Sequence, residues 1–187
     1  YVFSPVYDYF LFIFSFLPIE YIAKIITQLF ASSVVFVVFA LVKRLVNNNT
    51  AALTSAFLAG FVPIYFAETI NSLSPLAVSV PLILFLLYSF LLRDNKQWLY
   101  AYISALIVFS FLNSLVVLIA LTLIAYLIIL LVSKIPADRA EVELSVFSVF
   151  FIMWAQFLLY KKAFLAHGIG VVWQNIPKEV LVDYFSR

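Results

Sequence analysis

Apolar residues run through this chain in long blocks, separated by short polar breaks, with neither the two-residue alternation of strands nor the narrow stripe of a water-soluble helix. From Ile22 to Val46 the chain reads IAKIITQLFASSVVFVVFALVKRLV, framed by Lys24 at one end and Lys43 with Arg44 at the other. The turn Asn47 to Thr50 follows, then a shorter apolar block from Ala51 to Phe66, the polar stretch Glu68 to Ser74, and a third block from Pro75 to Leu92. Pro81 falls inside that third block, where a lipid-phase neighbour or a Ser hydroxyl must satisfy the carbonyl that proline frees.

Arg93 to Gln97 closes the block, and Trp98 to Val132 then gives 35 residues, about 52 Å as helix. A hydrocarbon core of about 30 Å takes about 20 residues, so this stretch divides into two spans, with Asn113-Ser114 as the break. A loop from Ser133 to Glu143 precedes a last span at Leu144 to Tyr160, and Lys161 to Arg187 forms a mixed, amphipathic tail. Before all of these, Tyr1 to Leu17 is rich in Phe and Tyr but cut by Pro5, Asp8 and Pro18, which suits an interfacial or re-entrant helix.

The pattern predicts an all-α membrane protein: a polytopic bundle of about six transmembrane helices with an outer interfacial helix. It forms a single domain over residues 1–187, with an interfacial segment at 1–21, spans within 22–160 and an outward tail at 161–187. Composition agrees, since 66% of the residues are hydrophobic and 11% charged, against roughly a quarter charged in soluble domains. The net charge of +2 is scattered and makes no stripe for a nucleic-acid backbone. With no cysteine and one histidine, the chain has no thiol chemistry and no multi-histidine metal site. The opening YVFSPVYDYF lacks a signal-peptide order and reads as the interior of a longer polypeptide.

Alternate connections carry Lys43, Arg44, Arg93, Lys96, Lys134 and Arg139, which assigns that side to the cytoplasm. Both ends of the chain then face outward, in a multi-pass protein expected in a prokaryotic plasma membrane. Glu68, in IYFAETINSLSP, lies in an outer loop without basic residues, and Asp8 lies on the same side. Two outward carboxylates at that depth suit acid and base roles on one polar substrate, or a hard divalent cation, while a helix-end or solvated carboxylate is the plainer reading of each. Lys161, Lys162 and His167 fall at the outer membrane edge, where they meet lipid phosphate or simply end a span by snorkelling. Asn48-Asn49-Thr50 has the form of a glycosylation acceptor but falls on the cytoplasmic side, by chance.

Beyond composition, the order of segments over about residues 4 to 115 resembles the middle of the polytopic GT-C-type glycosyltransferases, the group of the protein mannosyltransferases. A P-x-Y-like start, an acidic residue before a long helix, a basic pair, an Ala-rich helix and a P-x-x-x-x-E-like outer loop are matched by Pro5, Tyr7, Glu20, Lys43, Arg44, Ala51, Ala52, Pro63 and Glu68. The resemblance implies an outward site that takes a sugar from a polyprenyl-phosphate donor, with membrane lipid and other membrane subunits as partners. It also implies a principal catalytic Asp upstream of Tyr1. Where many members follow the acidic residue with an Arg, this chain has Thr69, Ile70 and Asn71, which leaves donor-phosphate recognition open. A non-catalytic membrane subunit that scaffolds a complex is the alternative.

Overall fold

A computed structural model describes residues 5–62, 65, 67, 69, 74–133 and 138–167, and among them every regular element is a helix. In chain order these are α1 (Pro5–Ile13), α2 (Ile19–Tyr21), a widened π turn at Ile22–Ile26, α3 (Thr27–Val46), α4 (Asn49–Gly60), α5 (Leu76–Leu91), α6 (Lys96–Leu112), α7 (Val116–Ser133) and α8 (Arg139–His167). Three stretches, Lys24–Val46, Val116–Ser133 and Arg139–Lys161, are long and apolar enough to cross a bilayer, while α5 and α6 are shorter apolar helices.

The breaks are made by asparagine. Asn47 closes α3 in the left-handed region at φ 52°, where asparagine is tolerated better than most residues. Asn48 then caps α4, its side-chain oxygen accepting from the Thr50 and Ala51 amides. The would-be glycosylation motif is thus a helix-turn-helix joint. Asn95 caps α6 through the Gln97 amide, and Asn113 ends α6 with its Oδ1 accepting from the Leu115 amide.

Short turns make neighbouring helices antiparallel, so the bundle has two ends. At one lie the turns at 47–48 and 92–95 and the start of α8; at the other lie the starts of α3 and α5 and the turn at 113–115. α3 packs against both α4 and α5, α5 against α6, α6 against α8, and α8 against α7, with α1 lying on α6. The core gathers Leu86 and Phe90 of α5, Tyr102, Leu106 and Phe109 of α6, Val116, Ile119 and Leu123 of α7, and Ile152 of α8. Close approach depends on small residues. Ala52, Ala56 and Gly60 repeat every four residues along α4, and a Cβ on Gly60 would stand 3.3 Å from Val35 Cγ2 of α3.

Three boundaries differ from the expectation: α4 ends at Gly60 rather than running on to Phe66, and the last helix differs at both ends. The last helix begins at Arg139 rather than Leu144, because the Val142 amide already donates to the Asp138 carbonyl and Arg139 pairs with Glu143 one turn on. It also continues past Tyr160 to His167, so the first residues expected in the tail prolong the helix. Pro81 leaves α5 unbroken, and the Ala77 carbonyl it frees accepts a hydrogen bond from the Tyr65 hydroxyl at 3.4 Å. The partner is a tyrosine rather than a serine.

Candidate functional site

Asp8, Lys161 and the described residues flanking Glu68 in sequence belong to elements at the end of the bundle that begins α3 and α5. Glu68 falls outside the described residues, but its neighbours hold on to α3: the Thr69 carbonyl accepts from Gln28 Nε2 at 2.5 Å, and the Tyr65 hydroxyl donates to the Ala31 carbonyl at 3.2 Å. Thr69 Oγ1 donates to the Tyr65 carbonyl, so the two tie this short stretch to itself as well as to α3. Asp8 lies in α1, and its side chain is outside what the structure describes. α1 reaches the same part of α3 through Phe10, whose ring meets Phe30 edge-on at 5.0 Å. α1, through Phe10, and the described residues Tyr65 and Thr69 therefore meet α3 at residues 28–31.

Lys161 is exposed in the last turns of α8, at the same end of the bundle. Lys162 and His167 lie further along that helix, with side chains outside the described set. No group of three or more His, Cys, Asp or Glu suited to a metal is found among the described residues.

Sequence reasoning missed the charge cluster at the opposite end. Glu141 in the first turn of α8 takes Arg93 of the α5–α6 turn through Oε2 at 2.8 Å, while Oε1 accepts from the Tyr126 hydroxyl of α7. The Arg93 guanidinium also stands over the Phe90 ring at 5.1 Å, and that ring meets Tyr126 edge-on. Side-chain exposures of 19% for Arg93 and 10% for Glu141 mark a largely desolvated pair. Both carboxylate oxygens are engaged within the protein. The cluster is a three-helix tie. Its trace in the sequence is spacing: Glu141, Ser145, Ser148, Ile152 and Ala155 follow a four-three repeat along one buried face.

That face meets α6 in parallel. Tyr102 Oη bonds Ser148 Oγ at 2.8 Å, and eight residues further along both helices Gln156 Nε2 donates to the Ser110 carbonyl at 2.8 Å. Asn113 Nδ2 extends the polar line to Ser79 Oγ of α5 at 3.0 Å. An open recess between α3 and α4, lined by Val35, Leu53, Thr54, Ala56 and Phe57, offers no charged group.

No family model, no curated protein and no solved structure matches this chain.

Proposed function

We propose that the chain is the membrane-embedded core of a glycosyltransferase that takes a sugar from a polyprenyl-phosphate donor and passes it to an acceptor at the outer face. Phe36, Leu131 and Phe150 are 75–79% exposed, and Trp154 and Phe157 stand outward on α8, while Ser145, Ser148 and Gln156 of the same helix are buried. Lipid accepts such an outer surface, and small or polar residues then bring helices together.

The observation that carries the sugar-transfer reading is the convergence on residues 28–31 of α3. It brings α1, which carries Asp8, and Tyr65 and Thr69, which flank Glu68 in sequence, to one end of the bundle, away from the end with Lys43, Arg44, Arg93 and Lys96. A donor with a polyprenyl tail enters such a site sideways from the bilayer. Glu68 orients the acceptor hydroxyl or holds a divalent cation, Asp8 assists, and Lys161 with Lys162 and His167 meets the donor phosphate. The order of Pro5, Tyr7, Lys43, Arg44, Pro63 and Glu68, which resembles the GT-C glycosyltransferases, supports the same assignment.

The test is transfer from a radiolabelled polyprenyl-phosphate hexose to acceptors in a native membrane extract, with the intact protein in proteoliposomes. Glu68→Gln is expected to lower transfer about 10²-fold at unchanged helicity, the scale of a positioned acid or base. Undiminished transfer by that variant overturns the role of Glu68. No transfer by the unaltered protein favours a scaffolding subunit instead.

A further inference from the structure

We propose that the seam between α6 and α8 is a hydration site, in which one internal water bridges Ser110 Oγ and Gln156 Oε1. Ser110 is fully buried and Gln156 is 7% exposed, and these two side-chain oxygens are buried without a hydrogen-bond partner in the protein. The orientation of the amide is fixed. Its nitrogen must face the Ser110 carbonyl, which only accepts, so Oε1 is left as an acceptor in need of a donor.

Both oxygens belong to one neighbourhood, because Oε1 shares a carbon with the bonded Nε2, and Oγ belongs to the residue whose carbonyl takes that bond. They do not bond each other directly. A water donates one hydrogen to Oε1 and exchanges a second bond with the hydroxyl, which satisfies both oxygens where lipid can satisfy neither. Ser110 lies in the last turn of α6, three residues before the partly exposed Asn113. Nothing in this proposal depends on the sugar-transfer reading.

A structure of the unaltered protein in nanodiscs, at a resolution that shows ordered water, is the first test. A density peak within hydrogen-bonding distance of both oxygens is expected. A Ser110 hydroxyl turned onto the Leu106 carbonyl, with no peak beside Gln156 Oε1, overturns the proposal. A thermal-unfolding cycle with Ser110→Ala, Gln156→Met and the double variant gives a second reading. Ser110→Ala keeps the backbone carbonyl that Gln156 bonds, so any coupling reports the bridge between side chains. The double variant is expected to lose little more than the worse single variant, whereas strictly additive losses count against a shared water.

Discussion

Glu141 binds a cation with one oxygen and a phenol with the other, so the cost of altering the cluster depends on which member is removed. Glu141→Ala leaves Arg93 over Phe90 with its carboxylate gone, and is expected to lower stability by about 3 kcal/mol in reversible unfolding from detergent, since breaking a desolvated pair strands the remaining charge. Arg93→Met combined with Glu141→Leu should recover a good part of that loss, because no charge is then stranded. A double variant as unstable as Glu141→Ala would show that shape, rather than charge, holds the three helices. At the other joint, Asn48→Ala removes the acceptor for the Thr50 and Ala51 amides and is expected to cost about 1 kcal/mol in the same measurement. These asparagines made the turns at 47–48, 95 and 113 legible in the sequence. Glu141 was not, because Asp138, Arg139 and Glu143 around it are exposed, and one inward carboxylate in such a run looks like another loop charge.

Among the elements, α5 joins a proline to a distant hydroxyl. The Tyr65 hydroxyl divides its donation between the Ala31 carbonyl and the Ala77 carbonyl that Pro81 leaves free. Tyr65→Phe is expected to destabilise the protein by about 1–2 kcal/mol, and by less in a Pro81→Ala background, where residue 81 regains an amide for Ala77. Equal losses in both backgrounds would assign the effect to Ala31 alone. On α4, Gly60→Leu forces a side chain into a contact that already stands at 3.3 Å for a bare Cβ, and a loss of about 1–3 kcal/mol is expected. Helix positions were readable from length against bilayer thickness, but helix faces were not. α8 is apolar over most of its circumference, and its buried face is marked by Ser145, Ser148, Ala155 and Gln156, residues that a search for hydrophobic stripes passes over.

For the molecule as a whole, alternation of the ends decides where chemistry can take place. The parallel seam of α6 and α8 and the antiparallel turns send the start of α3, the start of α5 and the end of α6 to one end of the bundle. Tyr65 and Thr69 belong to that end through their bonds to Ala31 and Gln28, and α1 through the contact of Phe10 with Phe30. The meeting of Phe10, Tyr65 and Thr69 with residues 28–31 of α3 was not legible in sequence, because contacts between segments so far apart in the chain leave no local pattern. The chain contains no cysteine, so single cysteines report sidedness without background. The most direct measurement is labelling of Asn49→Cys, Asp94→Cys, Ser74→Cys and Ser114→Cys by a membrane-impermeant maleimide in sealed, right-side-out vesicles. Ser74→Cys and Ser114→Cys are expected to react from outside, and Asn49→Cys and Asp94→Cys only after the vesicles are opened. Labelling of Asp94→Cys and Ser114→Cys from the same side would contradict a membrane-crossing α6, and with it the outward site built on Glu68.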